Sequence, residues 1–448
     1  MLDQTFSSTN FRRIYDEENR RGRNLDQRYF PTLTDASARI TAATARIRDC
    51  RRNHQHVSDE ELQRVLQPLY DDLRDARETR ETRLAFEIEQ IAALATSRGF
   101  RVSLETATGP NEMPLFPIAD ESATYFISKQ LQRNLSRLYH LKPGDRRAIV
   151  RQVKDVLSTD FNLYVVRTDI TSFYESIDRQ ELIFDIDKDQ LLSLTSKHHI
   201  KSILKCYGEL SGNRKGIPRG VGISAYLSEL YMRGVDSRIK QIEGLTFYAR
   251  YVDDILAIFS PTAMTDNSTY LSLMKSEIEA RGLSINEQKT KCGPAPQSSS
   301  FHFEYLGYEF TWAGGCCELE MSNKKMDRYR MRIDRCFQSY SRTTPINQRK
   351  AERLLVARIK YLTGNTRLVN NKGFAFTGIY YNNSELTKLG KLNGLDAYLR
   401  HKVQSICSAS LQDRILAYSF RRGFEQKPFY RYNTMEFSNI VKAWRYES

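Results

Sequence analysis

The apolar positions between residues 33 and 95 recur at helical spacing, with charged residues between them. Such spacing puts an apolar stripe on one side of a helix, so we expect long amphipathic helices that break near 53–58. The segment 109–120 holds three prolines and one glycine, which predicts a connector. Helical spacing returns at 123–141 and 146–158, so the first third of the chain is predicted to be mainly helical.

In the middle of the chain, runs of apolar and β-branched residues predict strands. One strand is expected at 162–170, two strands around a tight turn at 244–259, and a hairpin that turns at Gly314 and Gly315. Strands interspersed with helices in this order predict an α+β fold, with an antiparallel sheet covered by helices. The remaining predictions are helices at 179–210, 222–242 and 264–282, a mainly helical region after 321, and a strand or loop at 373–382.

Carboxylates stand at the ends of the predicted strands. Asp169 closes the strand "NLYVVRTDI", and Asp253 and Asp254 form the tip of "FYARYVDDILAIF". A buried carboxylate costs free energy unless a cation meets it. If the strands are neighbours, Asp169 and Asp253 can share two Mg²⁺ ions, the arrangement that stabilises the attacking and leaving oxygens of a phosphoryl transfer. The alternative is structural: Asp169 caps the following helix, and the doublet is a polar turn.

The positive charge of the chain is concentrated at one end. The formal net charge is +14. Residues 321–448 carry 25 Lys and Arg against 9 Asp and Glu, so the whole excess lies there, with aromatic residues interleaved. A region this one-sided favours a polyanionic partner, nucleic acid above all.

Several classes of protein are disfavoured by the sequence. The seven cysteines contain no CxxC pair, so neither a disulfide framework nor a zinc site is expected. No apolar run has the length of a membrane span, and the first residues lack the apolar core of a signal peptide. We therefore expect a cytoplasmic protein without a membrane partner.

Five segments in a fixed order resemble the reverse transcriptases. "YVDD" is similar to the Tyr-x-Asp-Asp signature of that family, and "VRTDITSFYESI" is similar to the strand that carries its other metal-binding aspartate. The other three segments are "GIPRGVGISAYLSEL" at 216–230, "GLSINEQKTK" at 282–291 and "FEYLGYEF" at 303–310. The resemblance implies a right-hand polymerase of fingers, palm and thumb. The expected domains are a helical N-terminal extension at 1–98, fingers and palm at 99–320, and a basic, mainly helical thumb at 321–448.

The resemblance also implies the roles of the catalytic residues. Asp169 and Asp253 would chelate two Mg²⁺ ions, with Mn²⁺ as an alternative, and Asp254 would support them. Lys289 would lie near the pyrophosphate leaving group, as general acid or charge stabiliser. Tyr174 would lie under the incoming sugar, where a ring clashes with a 2′-hydroxyl and favours deoxynucleotides.

Further residues are expected to hold the substrates. Gly216, Pro218 and Gly220 would let the backbone approach template and nucleotide closely. Arg219 stands where the family usually has glutamine, which adds a positive charge at the nucleotide. Leu306, Gly307 and Tyr308 would form the hairpin turn against the primer. Lys129 and Arg133 are the candidate ligands of the triphosphate.

The subfamily that the chain resembles most is the bacterial defence-associated "unknown group" of reverse transcriptases. That resemblance implies an RNA-directed DNA polymerase that uses dNTPs and acts against phage with a structured non-coding RNA. It leaves open a homo-oligomer or an accessory protein. Three alternatives remain: a template-independent or protein-primed DNA polymerase of the same fold, an RNA-dependent RNA polymerase, and a non-catalytic RNA-binding module. Tyr174 argues against the second, and the intact aspartates argue against the third.

Overall fold

The computed structural model describes most of the 448 residues. The described ranges are 2–54, 58–109, 112–141, 144–159, 161–261, 267–295, 301–313, 316–368 and 375–444.

Helices dominate both ends of the chain. The first nine are α1 (Ser8–Arg20), α2 (Leu25–Tyr29), α3 (Thr34–Asn53), α4 (Asp59–Thr96), α5 (Ser122–Leu138), α6 (Arg146–Leu157), α7 (Phe173–Ser176), α8 (Arg179–Lys188) and α9 (Leu194–Ser211). They are followed by α10 (Ser224–Ile239), α11 (Ser268–Glu279), α12 (Asn323–Thr343), α13 (Gln348–Thr363), α14 (Gly390–Val403), α15 (Ala409–Leu416), α16 (Phe420–Glu425) and α17 (Thr434–Val441). Short 3₁₀ helices lie at Pro31–Leu33 and Glu287–Lys289.

Strands are short, and those within the described ranges form four sheets. They are β1 (Ala107–Thr108), β2 (Pro114–Leu115), β3 (Leu163–Asp169), β4 (Leu245–Tyr251), β5 (Asp254–Phe259), β6 (Lys291–Ala295), β7 (Phe303–Tyr305), β8 (Tyr308–Ala313), β9 (Cys316–Met321), β10 (Asn365–Arg367), β11 (Phe376–Gly378) and β12 (Phe429–Tyr430). Their orders are β1-β2, β4-β5-β3-β6, β7-β8-β9 and β11-β10-β12.

The first of two compact units consists of residues 1–141 and 178–228. Its N-terminal helices pack through apolar side chains, with Phe11 of α1 against Phe126 of α5 at 5.5 Å between ring centres. α3 packs along α4 through buried residues that include Ile47 and Leu73. α4 begins after Ser58, whose hydroxyl accepts a hydrogen bond from the Glu61 backbone NH, a typical N-cap.

The second unit consists of residues 142–177 and 229–448. In its antiparallel sheet β4-β5-β3-β6, the inner strand β5 is apolar from Ile255 to Phe259, and all of these residues are fully buried. The hairpin β7–β8 packs Phe303 on Phe310, with ring centres 4.8 Å apart. These strands share one apolar core with helices α6 and α12 to α16.

Most predicted elements agree with the structure. The helix break near 53–58 is confirmed, and so is the tight turn between β4 and β5. Residues 373–382 were predicted to be a strand or a loop, and the structure has the three-residue strand β11 within this range. The turn predicted at Gly314 and Gly315 lies outside the described residues, and the domain boundaries at 98 and 320 stay a prediction. In the part of the chain that the structure describes, every helix is too short or too polar to cross a membrane.

Candidate active site

Asp169 and Asp254 face each other across two neighbouring strands. Asp169 is the last residue of β3 and Asp254 the first residue of β5, and the antiparallel register pairs them directly. Directly paired residues of an antiparallel ladder have Cβ atoms about 5 Å apart. Asp253 lies in the turn directly before Asp254, and its carbonyl accepts a hydrogen bond of 3.1 Å from the Ile170 NH. The fold therefore gathers the three aspartates of the sequence prediction at one end of the sheet.

Several charged side chains lie close together at this end of the sheet. Burial raises the pKa of Asp254 to about 7, and the negative charges of Asp169 and Asp253 add to that rise. Arg167 acts in the opposite direction, with its guanidinium 3.0 Å from the Asp254 carboxylate. Arg167 and Asp169 are two residues apart on one strand, so both side chains project from the same face of the sheet.

Lys289 reaches the same place from a different segment. Its ammonium donates to Asp169 Oδ2 at 2.7 Å. A 3₁₀ turn carries Lys289, and the side chain of Asn286 caps this turn by accepting from the Lys289 NH. The Asn286 NH in turn donates to the Asp169 carbonyl at 2.7 Å. The segment "GLSINEQKTK" is thereby fixed to the strand that ends in Asp169.

The turn between β4 and β5 is strained and clamped. Val252 has a φ of 63°, a left-handed conformation that β-branched residues rarely adopt. Arg250 donates to the Val252 carbonyl at 2.8 Å. The same guanidinium pairs with Glu229 at 2.7 Å and with Asp236 at 2.8 Å, and its side chain is only 5% exposed. Arg250 thus fixes the turn that presents Asp253.

Tyr174 lies five residues after Asp169, in the one-turn helix α7. The helix starts directly after Ser172, which has a left-handed φ of 45°. The Tyr174 ring is half-buried and packs edge-on against Phe173, with ring centres 5.6 Å apart. Its role beneath the sugar of a nucleotide stays a prediction.

The Gly/Pro-rich segment lies in the first unit. Gly220 has a φ of 94°, a left-handed backbone conformation that favours glycine, and a Cβ there would make an ordinary contact 3.4 Å from the Pro117 nitrogen. The Arg219 carbonyl accepts from the Phe116 NH at 2.7 Å. Ser224 donates its hydroxyl to the Pro218 carbonyl at 2.6 Å. Gly216 is buried. The expected contacts of these residues with template and nucleotide stay predictions.

Lys129 and Arg133 are engaged with the N-terminal helix α1. The Lys129 ammonium lies 3.0 Å from Glu18 Oε2, and the Arg133 guanidinium lies 3.5 Å from Glu17 Oε2. Burial disfavours a charged Glu18, but hydrogen bonds from Tyr125 and Lys129 outweigh it and lower the pKa of Glu18. Both cations therefore have carboxylate partners within their own unit, and their role as triphosphate ligands stays a prediction.

The predicted primer hairpin is the turn between β7 and β8. Leu306 and Gly307 both have a positive φ, of 47° and 76°. Arg146 at the start of α6 donates Nε to the Leu306 carbonyl at 2.9 Å. Tyr308 is buried directly after the turn. The contact of this turn with a primer stays a prediction.

Sequence reasoning missed the residues that position the aspartates. Arg167 could have been found, because its spacing of two from Asp169 puts both on one strand face. Asn286 was noticed only as part of a resembling segment, although Asn is one of the residues favoured as a helix N-cap. Arg250 gives no local signal for its clamp, since its carboxylate partners Glu229 and Asp236 lie on α10, outside its own strand.

The donor set fits a divalent cation. Carboxylate oxygens are the ligands that Mg²⁺ prefers, and Asp254 is a buried carboxylate with two more carboxylates close enough to raise its pKa. Among the described residues, no three His, Cys, Asp or Glu side chains already stand in a metal-binding arrangement. Lys289 and Arg167 instead neutralise Asp169 and Asp254. Asp169, Asp253 and Asp254 are the residues that would hold the metal.

Comparisons with solved structures give weak similarities. Apo telomerase from Candida tropicalis, in a form truncated from its C-terminal domain, is 15% identical, with 51% of this chain and 56% of that chain covered and a TM-score of 0.36. Apo telomerase from the same organism is 14% identical, with coverages of 78% and 62% and a TM-score of 0.40. The BmCPV RNA-dependent RNA polymerase at elongation state is 11% identical, with coverages of 56% and 27% and a TM-score of 0.32.

A comparison with curated protein sequences found no match. The sequence family described as "Reverse transcriptase (RNA-dependent DNA polymerase)" matches residues 122–310. This range includes β3 with Asp169, the β4–β5 turn with Asp253 and Asp254, and the β7–β8 hairpin. Residues 122–310 therefore correspond to a reverse transcriptase-like polymerase fold, and the enzyme class that they indicate is an RNA-directed DNA polymerase, a nucleotidyltransferase.

Proposed function

We propose that the protein synthesises DNA from dNTPs on an RNA template by two-metal-ion phosphoryl transfer. We further propose that it does so in the bacterial cytoplasm as part of an anti-phage defence with a structured non-coding RNA. One observation supports the chemistry above the others: the register that pairs Asp169 with Asp254, with Asp253 in the adjoining turn.

Each aspartate has a definite task in this proposal. Asp169 and Asp253 hold the divalent ions, and Asp254 supports them from its buried position beside Arg167. The ions, when bound, neutralise the charge that develops on the transferring phosphoryl group. The strained Val252 and the clamp of Arg250 keep the doublet in place, so little reorganisation is needed during the reaction.

Lys289 has the reach to serve the leaving group. Its side chain is 59% exposed, so the ammonium is free to rotate away from Asp169. In the proposal, Lys289 exchanges Asp169 for the pyrophosphate oxygens and stabilises their charge or donates a proton. The carboxylate of Asp169 then becomes available as a metal ligand.

Selection of the sugar is assigned to Tyr174. An aromatic ring at this position leaves no room for a 2′-hydroxyl, so deoxynucleotides are preferred. The connection between β3, which ends at Asp169, and helix α7 is short, because Tyr174 follows Asp169 by only five residues. Replacement of Tyr174 by alanine is expected to increase the use of NTPs relative to dNTPs.

The basic region after residue 321 would hold the nucleic acid by its backbone. Neutralising phosphates releases counterions, so binding is expected to weaken steeply with salt. Sequencing the nucleic acid that copurifies with the protein tests this part. A defined bacterial RNA with complementary DNA supports templated synthesis, whereas homopolymeric DNA contradicts it.

Primer extension tests the chemistry. The wild type should extend a DNA primer on an RNA template with dNTPs and Mg²⁺, and Asp253→Asn and Asp169→Asn should be inactive. Asp327→Asn is a matched control, because Asp327 is an exposed carboxylate of α12. Equal incorporation by the wild type and Asp253→Asn would overturn the assignment of the site. The defence role is tested separately, by phage challenge of bacteria that express the wild type or Asp253→Asn.

A further inference from the structure

A basic cavity lies in the second unit, and Asp169, Asp253 and Asp254 are not among its lining residues. Its volume is about 370 Å³. The start of α6, the first residue of β8, the first turns of α12 and the segment 381–384 form its walls. The lining residues are Asp145, Arg146, Arg147, Tyr308, Lys325, Arg328, Tyr329, Arg332, Tyr381, Asn382 and Ser384.

The charges of the cavity do not balance. Its lining holds five cationic side chains and one carboxylate, Asp145. Asp145 is occupied as the N-cap of α6, where it accepts from the NH groups of Arg147 and Ala148. Glu385 lies nearby and pairs with Arg147 at 3.0 Å and Arg151 at 3.2 Å.

Four cations of the lining have no carboxylate partner among the described residues. They are Arg146, Lys325, Arg328 and Arg332. Gathering like charges raises the free energy of the folded protein, and an anion bound among them would offset that cost.

Lys325 is the innermost of these cations. It is 7% exposed and donates to the Asn382 carbonyl at 2.6 Å, and its ammonium lies 4.9 Å from the centre of the Tyr308 ring. Burial, with the positive charges of Arg146 and Arg328, lowers the pKa of Lys325 to about 7. The groups that interact favourably with the Lys325 ammonium, the Asn382 carbonyl and the Tyr308 ring, are both uncharged. An anion bound here would therefore compensate a buried positive charge.

We propose that this cavity binds a phosphate group of a nucleic-acid strand. The proposal rests on the proposed function, because it takes the ligand from the substrates of a polymerase. Arginine forks match the paired oxygens of a phosphate, and a phosphate offers enough oxygens for several cations at once. The cavity also borders Tyr308, next to the hairpin turn at Leu306 and Gly307. The phosphate is either the 5′-terminal group of a strand or an internal diester.

Direct binding measurements test the proposal. The probe is a short single-stranded DNA with a 3′-fluorescein and either a 5′-phosphate or a 5′-hydroxyl, and the readout is fluorescence anisotropy over a series of KCl concentrations. The double variant Arg328→Gln/Arg332→Gln should bind at least about tenfold more weakly than the wild type. The slope of log affinity against log salt should become shallower by about 0.7 for each lost phosphate contact.

The control variant is Lys324→Gln. Lys324 is exposed on the same turn of α12 and does not line the cavity, so this variant removes a charge without changing the site. Arg328 and Arg332 are also exposed at the residue level, so the double variant should fold. Lys325→Met probes the innermost position, and circular dichroism establishes that it folds.

The two probes distinguish the source of the phosphate. A loss confined to the 5′-phosphorylated DNA identifies a terminal phosphate, and an equal loss for both probes identifies an internal diester. If the double variant binds both probes as tightly as Lys324→Gln does, the proposal is overturned. Asp253→Asn should bind as the wild type does, so a failure of DNA synthesis and a failure of the cavity give different results.

Discussion

Lys289 donates its ammonium to Asp169 at 2.7 Å, although the two residues are 120 positions apart in the chain. Asp169 also receives a backbone hydrogen bond from Asn286, so two contacts hold this segment to the end of β3. The carboxylate proposed as a metal ligand therefore has a cation of the protein beside it. The same cation is the proposed partner of the leaving group, and this double role can be measured.

Lys289→Met should lower kcat for nucleotide addition by about 100-fold, because the stabilisation of the leaving group is lost. The KM for dNTP should change far less, since Lys289 is proposed to act on charge that develops during the reaction. Single-turnover primer extension measures both. Lys291→Met is the control, because Lys291 is an exposed lysine two residues away. An unchanged kcat for Lys289→Met would remove Lys289 from the mechanism.

Arg250→Met should destabilise the protein by about 3 kcal/mol, because Glu229 and Asp236 lose a buried partner. Burial alone would lower the pKa of Arg250, but the bonds to Asp236 and Glu229 outweigh it and raise that pKa. Urea denaturation gives the free energy of unfolding. Arg233→Met serves as the reference, since Arg233 is exposed on α10, the helix that carries Glu229 and Asp236, and this variant should change stability by less than about 0.5 kcal/mol. If both variants unfold at similar urea concentrations, Arg250 does not stabilise the turn in the way described.

Val252→Gly should raise the free energy of unfolding by about 1 kcal/mol, because glycine adopts the positive φ of this position without strain. The rate of nucleotide addition should fall in the same variant, since the turn that carries Asp253 gains freedom. Val252→Ala keeps the left-handed strain and should show no such gain in stability. If the alanine variant is stabilised as much as the glycine variant, strain at Val252 is not the cause.

Lys325→Met should stabilise the protein at pH 6 and lose this advantage near pH 10. The pKa of Lys325 is about 7 in the folded protein, against 10.5 as the ordinary value for lysine, so the unfolded chain binds more protons between these two pH values. Stability of the wild type therefore rises with pH across this window, and the cost of burying the ammonium is fully present below pH 7. The cost is on the order of a few kcal/mol.

Several charged groups near Lys325 also influence its titration. Arg146, Arg147 and Asp145 face it from α6, Arg328 and Arg332 from α12, and Glu385 from the segment after β11. Burial raises the pKa of the Tyr308 hydroxyl to about 12, so Tyr308 stays neutral below that pH. Urea denaturation of the wild type and Lys325→Met at several pH values tests the difference. A difference that is independent of pH would contradict the burial of a charged amine.

The sequence predicted those features that depend on local pattern. Asp169 and the doublet were recognised because each ends an apolar run, and strand neighbours could then be inferred from a shared need for cations. The helix break before Ser58 was recognisable from polar residues between two helical patterns. In each case the information lies within a few residues.

Features that depend on distant partners could not be predicted. Lys129 and Arg133 were chosen for their charge, but their carboxylate partners lie on α1, more than a hundred residues earlier. Nothing in the local sequence indicates that Arg146 donates to the Leu306 carbonyl, because the two residues are 160 positions apart. Helical spacing shows which side chains share a face and does not show what packs against that face.

Strand β3 lies between β5 and β6, and both of these strands come later in the chain. During synthesis on a ribosome, one hydrogen-bonding edge of β3 stays open until β5 has emerged, and the other stays open until β6, which ends at Ala295, has emerged. Open strand edges pair readily with other chains. Nascent or truncated products that end before Ala295 keep at least one open edge on β3, and they are thus expected to need protection by chaperones.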